Sequence, residues 1–464
     1  MSTLSDRYAS REMREIWSPE SKIRAERKLW VAVARFQSKA LSIPEKALQD
    51  YEKVIDCVDL VSIDNREKRS RHDVKARIDE FNELAGHQYI HLGMTSRDLT
   101  ENIEAFQIRS ALLLIQERCA SLLFQISERA KSYAEQPFVA RTHNVPAQLT
   151  TLGKRFATIG EELLFAFARL NNLIERYPNR GIKGPVGTEQ DSRDLIGDSH
   201  DDLEKAVAKS LGFTHTLDSV GQVYPRSFDL DLVSALLQLA AAPSNLATQI
   251  RLMSGQGLAT EGFKAGQTGS SAMPHKMNSR SCERINGLTA VLSGYLTMVS
   301  QISGNQWNEG DVSDSVVRRV ALSDSFYALD GIIETTLTVL NEFGIFTEPI
   351  RNEIETELPF LATSKFLTAA LKNGAKRESA HEALKELSTK ALLDRQSGKP
   401  TSLIDAIASD PRIPLDKATL ELLLTNTGDF IGNAPLQTAR VVARIKSAIA
   451  PFPKATTYKP GEIR

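Results

Sequence analysis

Leu112-Leu-Leu-Ile-Gln-Glu-Arg-Cys-Ala-Ser-Leu-Leu-Phe-Gln-Ile-Ser-Glu-Arg-Ala-Lys-Ser-Tyr133 sets Leu112, Ile115, Cys119, Leu122, Ile126, Ala130 and Tyr133 at steps of three or four residues. Side chains so spaced share one face of an α-helix. Phe156, Ile159, Leu163, Phe167, Leu170 and Ile174 repeat the pattern, as do Ile285, Leu288, Leu292, Tyr295, Val299 and Ile302. No proline falls between Pro44 and Pro137 or between Pro274 and Pro349, so each interval can hold long helices. Helices of about 25 to 35 residues are about 40–50 Å long. Several of that length bury their stripes best by bundling lengthwise, which makes the expected fold all-α.

Working outward, three helical domains are expected. Residues 1–104 form a charge-rich N-terminal domain, residues 105–350 the long-helix bundle, and residues 351–464 a set of shorter helices. Gly374, Pro400, Pro411 and Pro414 interrupt the last part, and its tail, Pro451–Arg464, reads as extended or mobile. Strand signals are sparse, and Gly181–Val186 reads as a loop or small hairpin.

Lys and Arg number 57 against 58 Asp and Glu, with no polybasic block, so neither nucleic acid nor an anionic membrane is an expected partner. The three cysteines, Cys57, Cys119 and Cys282, have no metal-type spacing and do not suggest a disulfide framework. The segment after Met1 lacks the apolar core of a signal peptide, and no run of about 18 apolar residues occurs. A reducing cytosol is the expected setting.

Four polar segments interrupt the stripes. Gly266-Gln-Thr-Gly-Ser-Ser-Ala-Met-Pro-His-Lys-Met-Asn278 precedes the helix expected near Ser281. Its glycines, serines and proline read as a movable loop, and Lys276, Asn278 and a helix N-terminus beside it suit an anion. An ordinary capped connector has the same composition. Arg141-Thr-His-Asn-Val-Pro-Ala-Gln-Leu-Thr-Thr-Leu-Gly-Lys-Arg155 sets His143 at the expected junction of two helices, where it could act as an acid or simply cap one of them. Arg71-His72-Asp73 reads as a solvated face, and Thr95-Ser96 as an N-cap. There is no phosphate-binding glycine loop, nucleophile elbow or His-Glu-x-x-His pair, which favours acid–base chemistry without cofactor or metal.

Gly269-Ser-Ser-Ala-Met-Pro-His-Lys-Met-Asn278 resembles the Gly-Ser-x-x-Met-x-x-Lys-x-Asn signature of the aspartase/fumarase superfamily at every fixed position. Thr142-His143 with Pro146-Ala-Gln148 and Thr150–Arg155 is similar to the version found in the branch that acts on succinylated purine nucleotides. Arg7–Ser10, Arg71–Val74, His91–Gly93 with Thr95-Ser96, Gly221-Gln222 and Glu357–Phe360 extend the likeness over roughly residues 5 to 450.

The resemblance implies three helical domains and a homotetramer whose core is the long-helix bundle, with each active site shared between subunits. It implies elimination of fumarate from adenylosuccinate and from the succinylated imidazole-carboxamide ribotide. It makes Ser270 the base and His143 the acid, with Lys276 and Asn278 on the succinyl carboxylates and Glu283 supporting the pair. His72, flanked by Arg71 and Asp73, belongs by the phosphate, while Arg7, Tyr8, Thr95, Ser96, Gln222, Arg284, Ser315 and Arg319 match other substrate contacts. Val145, Ser279 and Gly310 depart from the usual pattern, the last replacing a frequent arginine. A sister lyase such as argininosuccinate lyase would explain Gly310 but not Arg7-Tyr8 with Arg71-His72. A silent helical scaffold would have no use for Ser270, His143 and Lys276.

Overall fold

The computed structural model describes residues 2–262, 273 and 275–461. Five long helices, Ser96–Ser132, Leu152–Arg176, Ser227–Gly255, Arg280–Ile302 and Ser313–Glu342, make the body of the molecule. The sequence stripes are their buried faces. Leu112, Ile115, Cys119, Leu122, Ile126 and Ala130 are fully buried, as are Phe156, Ile159, Leu163, Phe167 and Leu170 within about a hundredth of their surface. Ile285, Leu288, Leu292 and Val299 line the inner face of the fourth helix, whose opposite face is exposed.

Cross-helix bonds fix the directions. Arg97 meets Ser315 and Arg129 meets the Leu340 carbonyl, so the 96–132 and 313–342 helices run parallel. Arg226, just before the third helix, meets Glu101, and Arg251 near that helix's end meets Asn286. The third helix therefore runs with the first, and the 280–302 helix runs against it. Ala434–Ile449 packs back on the bundle, Ile445 lying against Gly160 and Ile126.

Several expectations change. The first long helix passes through residue 104, so the boundary drawn there falls inside a continuous element. Pro243 sits buried inside the 227–255 helix, where its missing N–H costs one bond without ending the helix. Over half of that helix's apolar window is buried, which marks it as a core helix although it is long enough to cross a bilayer. Residues 143–144 do not join two helices. Pro137–Thr142 and Val145–Thr151 pair as an antiparallel hairpin between them, with Thr142 opposite Val145. The tail is also ordered by contact: Pro453–Thr456 forms a 3-10 turn, and Tyr458 and Gly461 bond to Glu334.

One end of the bundle is tied by a buried ionic lattice. Arg226 donates to both oxygens of Glu101 at 3.0 Å and also bonds Asp314. Arg318 donates to Asp229 and Glu104 at 2.8 Å and to the Tyr224 hydroxyl, which itself donates to Asp229 at 2.7 Å. The starts of three parallel helices are thereby held level. Removing one member strands its partners in a dry interior, at a cost of about 3–5 kcal/mol. Arg226→Ala is therefore expected to lose about that much stability in urea unfolding; a loss below about 1 kcal/mol would contradict the lattice's structural role.

Candidate active site

The helix that follows the Gly269–Asn278 motif begins at Arg280, and its N-terminus is already satisfied by an anion. Glu261, nearly buried, accepts from the Ser281 and Cys282 amides at 3.0 and 2.9 Å. The expected free helix N-terminus is thus filled by a carboxylate of the chain itself. Lys276 is exposed and Asn278 partly so, while Glu283 on the first turn faces solvent. Ser270 lies outside the described residues.

Arg284, one residue on from Glu283, comes to a cavity of about 310 Å³ with Arg7 and Tyr8. Its guanidinium lies 5.5 Å from the centre of the Tyr8 ring. Burial presses Arg284 below its ordinary pKa, and the like charges of Arg7 and Arg280 add to the shift, opposed by Tyr8. An anion placed there would relieve that repulsion. The approach of Tyr8 depends on Gly331, where an added Cβ would sit 2.9 Å from Tyr8 backbone and side-chain atoms. Asp330 beside it accepts from the Ser10 amide at 2.6 Å and so holds the Arg7–Ser10 segment against the helix.

A second group collects at the latticed end. Thr95 is the N-cap of the first long helix, and Asp98 accepts from its amide at 2.7 Å. The other Asp98 oxygen takes Arg180 at 2.5 Å and the amides of Lys183 and Gly184 at 2.8 and 3.0 Å, bolting that loop over the helix start. Ser96 is half-buried, and Arg97 donates to Ser315 at 2.8 Å. Arg319, one turn beyond Ser315, is exposed. Gln222 donates its amide to Glu309 at 2.7 Å, an approach that a side chain at Gly221 would block. Gly310 packs against Gln222, an added Cβ falling 3.1 Å from its Cβ, so the departure at 310 adjoins a matched position.

His72 is the N-cap of Asp73–Ala85, its Nδ1 accepting from the Lys75 amide, and Arg71 stands in the left-handed region at φ 54°. Arg77 ties Asp73 at 2.9 Å and Glu26 at 3.2 Å. His91 accepts the Trp30 indole N–H at 3.0 Å, and burial pulls it to about 4 against the opposing charge of Asp98. It stays neutral at physiological pH.

His143 and Asn144 form the two-residue tip of the hairpin, with φ of 53° and 63°. Positive φ at both turn positions matches the right-handed twist of the strands, and His and Asn tolerate it better than most residues. The tip from Thr142 to Val145 is exposed. Beneath it, Arg141, Asn144, Lys154 and Arg155 line a cavity of about 460 Å³, in which burial lowers Arg155 to about 10.

Within one chain, then, the matched residues form separate groups. Arg97 meets Ser315, whereas Arg118 meets Glu334 beside the Arg7 cavity. Twenty-one residues of helix between those levels span about 32 Å, well beyond a mononucleotide. Among the described residues Glu189, His200 and Glu204 are close enough together to ligate a cation, but the Lys183 ammonium already binds both carboxylates at 2.7 and 2.8 Å.

A family model described as Lyase matches residues 2–294, and one described as Adenylosuccinate lyase C-terminus matches residues 359–441. The chain is 33% identical to the adenylosuccinate lyase of Schizosaccharomyces pombe, over 98% of this chain and 96% of that protein. It is 32% identical to the Saccharomyces cerevisiae adenylosuccinate lyase, over 97% and 96%, and 28% identical to that of Archaeoglobus fulgidus, over 96% and 98%. Its fold is that of the 3-carboxy-cis,cis-muconate lactonizing enzyme of Pseudomonas putida, with TM-score 0.82 at 20% identity over 96% of this chain and 99% of that one. The fumarate lyase of Mesorhizobium sp. BNC1 gives TM-score 0.80 at 21% identity over 94% and 98%.

The Asp330 clamp carries a pH signature. Burial raises its carboxyl to about 7, Glu334 adding to the rise while Ser10 and Arg118 oppose it. A raised acid binds its proton more tightly in the folded state, so it lowers stability as pH climbs from the unfolded value of about 3.9 through about 7. Asp330→Asn should therefore gain in Tm relative to the native chain between about pH 5 and about pH 8. A difference constant across that range would contradict the assignment.

Proposed function

The chain belongs to the adenylosuccinate lyase family, and from that premise we propose how its residues divide the elimination of fumarate from adenylosuccinate, which leaves AMP. The same division serves the succinylated imidazole-carboxamide ribotide in purine nucleotide biosynthesis, releasing fumarate and the free carboxamide ribotide. A base takes a proton from the succinyl CH2, and negative charge builds on the adjacent carboxylate. That electron pair becomes the fumarate double bond as the C–N bond breaks, and an acid gives the departing nitrogen its proton.

Ser270 is the base, an assignment that rests on the Gly269–Asn278 match. Lys276 and Asn278 hold the succinyl carboxylates, stabilising charge where it develops, and Glu283 supports the acid–base pair. His143 is the acid, and its hairpin tip is narrow and exposed enough to enter a cleft. The observation that carries the reading is the convergence of Arg7, Tyr8 and Arg284 in one cationic cavity, Arg284 lying on the helix directly behind the motif. Thr95, Ser96, Gln222, Ser315, Arg319 and the Arg71–Asp73 cap supply the remaining substrate contacts.

One chain holds these groups too far apart for one substrate, so the site is completed between subunits of a homotetramer. Val312, Val316 and Val320 support this, exposed among the described residues at helical spacing beside Ser315 and Arg319 as an apolar edge. The protomer is read as N-terminal, bundle and C-terminal parts, with boundaries moved off residues 104 and 350, which fall inside the helices Ser96–Ser132 and Thr347–Leu361. Cys57, Cys119 and Cys282 are free, which suits a reducing cytosol.

Purified protein mixed with adenylosuccinate should show the purine absorbance change of fumarate release, with argininosuccinate as the inactive control. Ser270→Ala should lower kcat about 100- to 10,000-fold, the usual worth of a general base, and leave Tm unchanged. Cleavage of argininosuccinate in place of adenylosuccinate would overturn the substrate, and near-native turnover in the variant would remove Ser270 as base.

A further inference from the structure

The cavity that gathers Arg7, Tyr8 and Arg284 has a wall from the far end of the sequence. Tyr458, Lys459 and Gly461 line it, more than 450 positions after Arg7. Their position is fixed by one acid. Glu334 accepts from the Tyr458 hydroxyl at 2.6 Å through one oxygen and from the Gly461 amide at 2.8 Å through the other. The Arg118 guanidinium lies 3.7 Å over the Tyr458 ring and 3.3 Å from Glu334, closing the clamp.

Glu334 and Asp330 are one turn apart on the 313–342 helix, so a single helical face grips both ends of the chain. Asp330 holds the segment that presents Arg7 and Tyr8, and Glu334 holds the segment that presents Lys459. The acids that line the cavity are engaged: Glu334 by the tail and Arg118, Glu12 by Arg118 at 3.6 Å. Lys459 pairs with no carboxylate among the described residues and is exposed. A lysine held at the mouth of a cavity already rich in guanidinium groups adds to repulsion unless an anion comes between them.

We propose that the C-terminal tail, clamped by Glu334, is a wall of the substrate cavity and brings Lys459 to an oxyanion of the substrate. The inference rests on the reading of this cavity as substrate-binding. The phosphate and a succinyl carboxylate both offer such an oxyanion. Because the contact exists before and during reaction alike, Lys459 acts on binding more than on the chemical step.

The test compares Lys459→Ala, Lys459→Arg and Arg7→Ala in the full-length protein, reading kcat and KM for adenylosuccinate and Kd for AMP and for fumarate. Lys459→Ala should raise KM about 10-fold with kcat within about twofold, and Lys459→Arg should restore most of the loss. A weakened Kd for AMP alone assigns the phosphate, and a weakened Kd for fumarate alone assigns a carboxylate. Glu334→Gln, which loosens the clamp and leaves Lys459 in the chain, should raise KM in the same direction even though it removes a negative charge from the cavity wall. Native KM and native Kd values in Lys459→Ala, with Arg7→Ala impaired, would overturn the tail's role and leave the cavity reading intact. Native binding in both variants would overturn the cavity reading itself.

Discussion

The structure depends on the ionic lattice of Arg226 and Arg318 with Glu101, Asp229 and Asp314, all buried at one end of the bundle. Buried ion pairs of this kind stabilise little in net terms, because desolvation offsets most of their attraction. What they fix is register. Apolar stripes on parallel helices can slide by a turn and still bury the same surface, whereas Arg226 reaches Glu101 and Asp314 in one alignment only. That alignment sets Thr95, Ser96, Arg97 and Ser315 at one level, since Arg97 lies one turn from Glu101 and Ser315 adjoins Asp314.

Farther along the same helix pair, the constraint changes from register to attachment. Asp330 and Glu334 draw opposite ends of the chain to one face, which makes a cavity from segments that local sequence could not bring together. Gly331 lies between them in sequence and leaves room for Tyr8. Two polar assemblies about 32 Å apart, with a histidine hairpin on yet another element, are the geometry from which the shared site is proposed.

The bundle was legible because the stripes at Leu112–Ala130, Phe156–Leu170 and Ile285–Val299 are long and regular, and helical periodicity is the strongest signal a sequence carries. The hairpin was not. Val139, Thr142, Val145, Thr150 and Thr151 are β-formers, but the run is short, contains Pro146 and lies between two strong helices. The tail escaped for another reason: its three prolines and a glycine argue against a long α-helix but say nothing of a tertiary clamp on Glu334. Glu261 filling the start of the 280–302 helix was equally hidden, since it lies twenty residues before Ser281 with nothing local to link them. Within the candidate site, motif matches supplied the proposed residues, while the separation of the described ones into groups required the three-dimensional positions of the helix ends.

In the proposed arrangement one working site draws residues from different chains. Two inactive proteins, His143→Ala and Ser270→Ala, can be mixed under conditions in which mass-tagged subunits exchange. Hybrid assemblies would contain some sites with both intact residues, so adenylosuccinate cleavage should return to a fraction of the native rate. Subunit exchange confirmed by the tags, with no return of cleavage, would contradict the shared site and place His143 and Ser270 of each active centre on one chain.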